Sequence, residues 1–404
     1  MKLLKFELTE KDRERYESRV RRIKKAGYFF QIEDLETLTE VDTEHLTIWG
    51  RVLRLRKLKT KLLVDFLSNG LIRVLIVTGS RRKIFEKLIR IYDYLCIIGV
   101  EKDNEDIIVK SFTVVSPCAI SVNTNEIKYL HQRLISNCSD MRILKQYSDW
   151  FYKISKLMRK NGFMEVRTPT LLKTFYAGNA RPFVTYSNNF HKNLYLKFSS
   201  EPLLKEILAG GADKVYEFSS VFRNEADSKN KNYEFKVLEF CTSNESLAQT
   251  RTYLEEIVYL FLGIKNIPEI DFRALCDGKR IRNKFKYFKK TIVPSLQEPV
   301  FVTHIPSGQS PFIAECKEDQ LYSERQFLVI NGMTISEIYQ NERDPFKQLD
   351  FLKKQFLKER DYKIDYSSYI HSQLVGSPII NMCFISINRL IMVATGQEDC
   401  RSMI

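Results

Sequence analysis

The hydrophobic pattern of the first 115 residues predicts one helix followed by a run of short strands. The helix should begin after Thr9, which can form a capping box with Asp12, and should end at Gly27. Its apolar stripe is narrow, so it should dock weakly and present a cationic face. The period then changes to β-rich segments, which are Leu46–Leu55, Leu62–Leu67, Ile72–Thr78, Tyr94–Val100 and Ile107–Val115. Five short strands at this spacing predict a small closed β-barrel.

The second half of the chain alternates strands and helices irregularly. A helix is predicted over Lys145–Asn161, where large apolar residues recur at helical spacing, and Gly162 should end it. The pattern from there onward predicts an α+β fold in which helices flank an antiparallel sheet. We therefore expect a basic helix and lead-in over 1–45, a barrel of the OB type over 46–115, a linker over 116–140 and an α+β domain over 141–404.

The net charge of the chain indicates which class of partner it could bind. Its 404 residues include 64 Lys and Arg against 50 Asp and Glu, and the net charge of +14 favours a polyanion such as nucleic acid. A generally Lys-rich proteome would produce the same excess. The first helix is accordingly either an RNA contact or a solvated surface helix. The first barrel strand and the turn after it carry a predicted nucleic-acid-binding set, which consists of Arg51, Arg54, Arg56, Lys57, Lys59 and Lys61.

Cysteine usage and hydropathy argue against several other classes. The eight cysteines are scattered without a CxxC pair, which disfavours a zinc site or a disulfide framework and is typical of a reducing compartment. The sequence has no run of 18 apolar residues, and its first ten residues lack the apolar core of a signal peptide. We expect a cytoplasmic protein without a membrane span.

Candidate chemistry lies on a predicted hairpin, in which Val215–Glu225 pairs with Tyr233–Thr242. Because side chains alternate along a strand, Arg223 should share a face with the acid two residues later, and Phe235 should share a face with Glu239. Arginine offers a planar fork for a phosphate, and a phenyl ring can stack on a purine. The spacing alone leaves two interpretations open, a nucleotide site and a structural Arg–Glu ladder on a solvated sheet.

Several collinear segments resemble one known family. Phe222-Arg223-Asn224-Glu225, followed by Glu234-Phe235 and Glu239, resembles the second signature motif of class II aminoacyl-tRNA synthetases, and of lysyl-tRNA synthetase in particular. Gly162–Val166 with Thr168-Pro169 is similar to the first motif, which builds the dimer interface in that class. Asn388-Arg389-Leu390 is similar to the end of the third motif. The basic helix and the barrel match the family's anticodon-binding region.

This resemblance implies a reaction and a set of ligands. The family activates lysine with ATP and Mg²⁺ to form lysyl-adenylate and then transfers the lysine to tRNA, so ATP, lysine, tRNA and a second copy of the chain are the implied partners. Arg223 matches the arginine on the α-phosphate and the substrate carboxylate, and Arg389 matches the arginine on the γ-phosphate; these two are the implied catalytic residues. Glu225 matches the acid that meets the adenine amino group, and Phe235 matches the ring that stacks on adenine. Lys231 completes the implied ATP set, where lysine enzymes have a histidine.

The amino-acid end of the implied site contains two acids. Glu201 matches the acid for the substrate α-amino group, and Glu239 matches an acid near the lysine ε-ammonium group. Asn341 stands where the family has a glutamate that helps to hold lysine. Two acids facing two ammonium groups suit lysine, because an unpaired charge in a pocket is costly.

The resemblance breaks at the metal site. Phe327 and Thr334 stand where the family has two metal-binding glutamates, and neither side chain replaces a carboxylate for a hard cation. Asn331-Gly332 predicts a two-residue hairpin turn that sets Phe327 opposite Ser336 and Val329 opposite Thr334. We therefore predict no metal ligand, although the family uses Mg²⁺.

The third motif also departs from the family, and three functions stay open. Residues 383–386 replace the glycines that precede the family's arginine, and their side chains should crowd the nucleotide. The first function is a lysine–tRNA ligase with impaired or altered activation. The second is a catalytically inactive paralogue that binds tRNA or regulates an active partner. The third is a ligase that attaches an amino acid to an acceptor other than tRNA.

Overall fold

The structure is a computed structural model that describes residues 9–31, 45–102, 105–119, 129–136, 138–176, 181–225, 232–276, 280–356 and 364–399. The chain separates into two compact units, which span Met1–Gln146 and Tyr147–Ile404. Lys231 lies outside the described residues, as do most of the predicted lead-in and part of the predicted linker.

The first unit contains a closed five-stranded barrel. Helix α1 (Glu10–Lys25) precedes the barrel, and α2 (Gly79–Leu88), which the sequence did not predict, joins its third and fourth strands. The strands are β1 (Leu46–Lys57), β2 (Lys61–Ser68), β3 (Leu71–Thr78), β4 (Tyr94–Glu101) and β5 (Ile107–Ser116). They are hydrogen-bonded in the order β1-β2-β3-β5-β4, and pairing of β4 with β1 closes the barrel. The five predicted strands are therefore confirmed, with fully buried residues such as Val52, Val64 and Phe66 in the core.

Helix α1 is fixed by a buried ion pair, which corrects the prediction that it docks weakly. The predicted capping box at its start is present. Arg19 is buried, and its guanidinium donates to both carboxylate oxygens of Asp93 and to the carbonyl oxygens of Leu88 and Cys118. Ile23 is fully buried in the barrel core. A charged group that is paired and fully hydrogen-bonded can be buried without the usual penalty, so one residue of the cationic face serves packing instead.

The second unit is organised around an eight-stranded sheet. Helix α3 (Leu130–Ser136) belongs to the first unit, and the division between the units falls within helix α4 (Cys138–Lys160). The other helices are α5 (Glu201–Ala209), α6 (Leu247–Leu262), α7 (Phe272–Cys276), α8 (Lys284–Tyr287), α9 (Val293–Ser295), α10 (Pro345–Phe356), α11 (Ser367–Leu374) and α12 (Ile387–Thr395), with a π-helical segment at Phe288–Ile292. The strands are β6 (Met164–Glu165), β7 (Leu171–Leu172), β8 (Val184–Ser187), β9 (Lys192–Leu196), β10 (Lys214–Phe222), β11 (Glu234–Ser243), β12 (Glu269–Asp271), β13 (Val300–Thr303), β14 (Ile305–Pro306), β15 (Tyr322–Ser323), β16 (Arg325–Ile330), β17 (Met333–Gln340) and β18 (Ile380–Ser386).

The main sheet is mixed rather than antiparallel throughout. Its order is β12-β13-β16-β17-β18-β11-β10-β6. The six central strands are antiparallel to their neighbours, as predicted, but β6 and β12 at the two edges pair in parallel. The predicted antiparallel pairing is therefore confirmed for the centre of the sheet and wrong at its two edges. The edge strands have only two and three residues, which is too short to show a pattern in the sequence.

One row of side chains crosses the main sheet. The face of the sheet on which this row lies is called the site face below. Directly opposed residues of antiparallel strands share a face. The register pairs form a row from β10 to β13 that consists of Glu217, Glu239, Phe384, Glu337, Phe327 and Val302. Helix α5 covers this face, since Ser199 and Ser200 just before it hydrogen-bond to Glu239. Helix α6 covers the opposite face, where the Thr250 hydroxyl contacts Thr242 and Asn381.

Candidate functional site

Arg223 lies at the end of the β10–β11 hairpin between two aromatic rings. Strand β10 ends at Phe222, earlier than predicted, and the Arg223 N–H donates to the Tyr233 carbonyl oxygen at 2.9 Å. The guanidinium carbon is 4.4 Å from the centroid of the Phe198 ring and 5.0 Å from that of Phe235. Its Nε is buried and has no hydrogen-bond partner among the described residues, and burial lowers the pKa of Arg223. A partly buried guanidinium whose Nε donor is unused is suited to an anionic ligand.

The other predicted ATP residues surround Arg223 in part. Arg389 lies in the first turn of α12, and its Nη1 donates to the carbonyl oxygen of Thr334 at 2.8 Å. Arg389 is close enough to Arg223 for its charge to lower the pKa of that group. Glu225 is exposed and lies past the end of the strand, so strand alternation does not set its direction. The structure thus brings Arg223, Arg389 and Phe235 together.

Glu239 is a fully buried acid at the centre of the sheet. The Ser199 hydroxyl donates to its Oε1 at 2.5 Å, and the Ser200 backbone N–H donates to its Oε2 at 2.7 Å. Burial raises the pKa of Glu239 to about 7, against those two hydrogen bonds, and the charge of Glu201 adds to the rise. A carboxyl group at this pKa is ready to ionise when a cation arrives beside it.

Glu201 and Asn341 meet at a buried lysine that the sequence analysis missed. Lys205 is fully buried, and its Nζ donates to Glu201 Oε1 at 2.6 Å, to Asn341 Oδ1 at 2.7 Å and to the Tyr339 hydroxyl at 3.2 Å. The Tyr339 hydroxyl donates to the same oxygen of Glu201. None of the described residues donates to Glu201 Oε2. The signal that could have found Lys205 is its position four residues after Glu201 in an amphipathic helix.

The hairpin at the predicted metal positions has a different register from the one expected. Val329 pairs with Thr334 as predicted, but Phe327 pairs with Glu337 rather than with Ser336. The register shifts between Leu328 and Val329, and the extra residue on β17 is a β-bulge, which a two-residue turn does not reveal. The bulge brings Glu337 onto the face of Phe327.

Two cations lie over the Phe327 ring, and the sequence pattern indicated neither. Lys289 Nζ is 3.8 Å from the ring centroid, and the guanidinium carbon of Arg325 is 4.5 Å from it. Arg325 pairs with Glu337, with 2.6 Å between Nη2 and Oε1. Lys289 belongs to the π-helical segment Phe288–Ile292, a rare geometry that is frequent at functional sites. Burial lowers the pKa of Lys289 to about 8, because the attraction of Glu337 is weaker than burial and the repulsion of nearby arginines combined.

The third-motif residues divide between the two faces. Phe384 lies on the site face, between Glu239 and Glu337. Cys383 and Ile385 are fully buried on the opposite face, as alternation requires. The prediction that residues 383–386 crowd the site as a group is therefore wrong, and only the Phe384 ring lies in the central row.

Comparison with known proteins identifies the family. A family model described as tRNA synthetases class II (D, K and N) matches residues 124–404. The chain belongs to this class II synthetase family. It is close to lysyl-tRNA synthetases: it is 30% identical to lysine–tRNA ligase 1 of Mycoplasmopsis pulmonis over 321 residues, or 67% of this chain and 65% of that protein. It is 25% identical to the lysine–tRNA ligase of Buchnera aphidicola subsp. Cinara cedri over 384 residues, or 81% and 75%. The chain thus spans just under two thirds of the first of these relatives.

The described residues of this chain do not fit the family's metal. The two positions of the metal-binding carboxylates hold a buried phenyl ring, Phe327, and a hydroxyl, Thr334. Glu337 is on the correct face but pairs with Arg325. Across the described residues, no cluster of three or more His, Cys, Asp or Glu side chains could hold a metal ion. A hard cation prefers several oxygen ligands, and the side chains at these positions do not supply them.

The basic strand of the barrel is partly committed to contacts within the barrel. Arg51 donates to the Tyr92 carbonyl oxygen at 2.6 Å, Arg56 pairs with Asp65 at 2.5 Å and Lys57 pairs with Glu86 at 3.6 Å. The three other members of the predicted set form no ion pair with a described residue, and these are Arg54, Lys59 and Lys61. In the part of the chain that the structure describes, a search for helices apolar and long enough to span a bilayer finds none.

The raised pKa of Glu239 predicts a pH-dependent effect of Glu239→Gln on stability. The folded-state pKa of about 7 exceeds the ordinary value of 4.5, so the protonated group contributes stability that is fully present below pH 4.5 and is lost as the pH rises through 7. The neutral glutamine avoids this loss. We expect the difference in free energy of unfolding between the variant and the wild type to shift in favour of the variant by on the order of 3 kcal/mol between pH 5 and pH 8.5. Urea unfolding at several pH values measures this, and Glu234→Gln, at a half-buried position of the same strand, is the control.

Proposed function

We propose that this chain is a divergent lysine–tRNA ligase, which activates lysine with ATP and transfers it to tRNA, with an activation step slowed by the loss of the metal carboxylates. The observation that carries the proposal is Arg223, whose buried Nε lacks a partner among the described residues beside the Phe235 ring. The likeness to the lysine–tRNA ligases of Mycoplasmopsis pulmonis and Buchnera aphidicola supports it.

In this proposal the nucleotide lies along one end of the site. Phe235 stacks on adenine, Glu225 accepts a hydrogen bond from the adenine amino group, and Lys231 completes the proposed ATP-binding set. Arg223 holds the α-phosphate and the amino-acid carboxylate, which brings the two reacting groups together and stabilises the charge that develops between them. Arg389 holds the γ-phosphate. Both arginines are thus proposed as catalytic residues, since each touches ATP.

The amino acid lies beyond the nucleotide in this proposal, with Glu239 four residues after Phe235 on β11. Glu239 receives the ε-ammonium group, whose positive charge favours the ionised carboxylate at neutral pH. Glu201 receives the α-amino group through Oε2, because Oε1 already accepts from Lys205 and Tyr339. Asn341 orients Lys205, with 2.7 Å between Oδ1 and Nζ.

The first unit would hold the tRNA. We propose that the closed barrel is an OB-fold and that its basic first strand and the turn after it contact the anticodon stem, with Arg54, Lys57 and Lys59 among the exposed cations. We also propose a homodimer built on the first-motif segment, since the family is commonly dimeric. Titration of tRNA in a gel shift at several salt concentrations tests the first point, and binding that does not weaken with salt would contradict it.

Lysine-dependent exchange of pyrophosphate into ATP, with Mg²⁺ present, tests the activation step. Metal ions contribute several kcal/mol to such transfers, so their loss should slow exchange by roughly 10² to 10⁴ relative to an ordinary synthetase. Slow exchange that requires lysine supports the proposal. Exchange at ordinary rates contradicts the slowed activation step.

A non-catalytic paralogue is the second candidate, and one observation favours it. Phe327 and Phe384 place two phenyl rings in the row of side chains where a charged nucleotide would need polar groups. Binding of ATP and tRNA without any exchange would support this candidate. Exchange with lysine but no transfer to tRNA would instead indicate a ligase for another acceptor.

A further inference from the structure

The charges of three arginines act on Lys289 on one part of the site face. Lys289 and Arg325 lie over the Phe327 ring, and the charges of Arg223 and Arg389 also act on Lys289. Glu337 is the acid that acts on Lys289, and it already pairs with Arg325. Three positive groups therefore act on Lys289, against one carboxylate that is already paired with Arg325.

Arg325 and the segment that carries Lys289 are both packed into the surrounding structure. Arg325 is 8% exposed, and its Nε is buried without a hydrogen-bond partner among the described residues. The ring of Phe288, next to Lys289 in the π-helical segment, packs 5.2 Å from the ring of Phe327. A buried donor without a partner is costly, so a ligand that accepts a hydrogen bond from it is favoured on binding.

A polyphosphate matches this cluster in charge and in acceptors. A hard metal cation does not, because Phe327 offers no oxygen and the neighbouring cations repel it. The ammonium and guanidinium groups are held apart from each other, so they suit a ligand with several charged groups. A polyphosphate, in which each phosphate carries its own charge, is such a ligand, whereas a single carboxylate is not.

We infer that Lys289 and Arg325 bind the β- and γ-phosphates of a nucleoside triphosphate directly, so that the fixed ammonium of Lys289 replaces the divalent cation of the family. This rests on the proposed function, because the same site must bind ATP. Phe327 supplies the surface on which the two cations lie, and Glu337 keeps Arg325 in place.

Calorimetric titration of the full chain with ATP, in EDTA and in Mg²⁺, tests the inference. We expect the wild type to bind ATP in EDTA with a Kd within threefold of that in Mg²⁺. Lys289→Met, which keeps most of the unbranched side chain but removes its charge, should raise the Kd in EDTA at least tenfold. It should leave AMP binding unchanged, because AMP lacks the two outer phosphates.

The neighbouring Lys290→Met is the matched control, since Lys290 is exposed in the same π-helical segment, and it should change the Kd less than twofold. Arg325→Gln provides a second variant if Lys289→Met unfolds, with the same loss expected. ATP binding by the wild type only in Mg²⁺, or a Lys289→Met variant that binds like the wild type in EDTA, overturns the inference and leaves the proposed function standing. No ATP binding under either condition overturns the proposed function as well.

Discussion

Replacing Arg223 by glutamine is expected to lower the affinity for ATP by roughly 100-fold. The guanidinium is held between the Phe198 and Phe235 rings, and its Nε has no partner among the described residues. A phosphate oxygen could therefore accept a hydrogen bond from this charged donor without displacing another acceptor. A hydrogen bond to a charged group contributes about 1.5–3 kcal/mol, and the loss of a charge in a water-poor site adds to that. Calorimetric titration with ATP measures the change.

The same variant should leave stability nearly unchanged, which separates a binding role from a structural one. Burial lowers the pKa of Arg223, so the folded protein pays to keep this group charged, and removing the charge offsets the lost contacts with the two rings. Arg251→Gln is the matched control, because Arg251 also stacks on a phenyl ring, 3.8 Å from the Phe301 centroid, but on the opposite face. ATP affinity that is equal in Arg223→Gln and Arg251→Gln would contradict the assigned role.

Replacing Lys197 by methionine is expected to lower the free energy of unfolding by about 3–5 kcal/mol, the largest effect on stability that the site face offers. Lys197 and Glu217 are both almost fully buried, with 2.7 Å between Nζ and Oε1. Glu217 also accepts from the Thr168 N–H at 3.0 Å and from its hydroxyl at 2.7 Å. Without the ammonium, the carboxylate is left buried with only these neutral donors, and urea unfolding measures the cost.

A second change isolates the cause. Adding Glu217→Leu to Lys197→Met removes the stranded carboxylate and should recover most of the loss, because a buried ion pair can often be replaced by apolar side chains at little cost. Lys192→Met, at an exposed position nearby in the same region, should change stability by less than about 0.5 kcal/mol. If the double variant is no more stable than Lys197→Met, a buried unpaired charge is not the reason for the loss.

Much of the site could be predicted from short segments of sequence. The alternation along β11 predicted that Phe235 and Glu239 share a face, and the register to β10 confirms it. Arg223 followed from its place in a recognisable motif. Glu225 shows the limit of this reasoning, because the strand ends at Phe222 and periodicity carries no information beyond a strand end.

Several helix ends, turns and strands could be predicted from the sequence alone, because they depend on interactions between residues close together in the chain. The capping box at Thr9, the Asn-Gly turns and the five barrel strands depend on residues a few positions apart, whose hydrogen bonds and periodicity are legible in the chain. Only the tertiary structure decided what fills the site. The β-bulge put Glu337 opposite Phe327, and distant segments brought Lys289 over that ring and Lys205 to Asn341. These contacts depend on sheet register and on packing between residues far apart in sequence, and no local pattern encodes either.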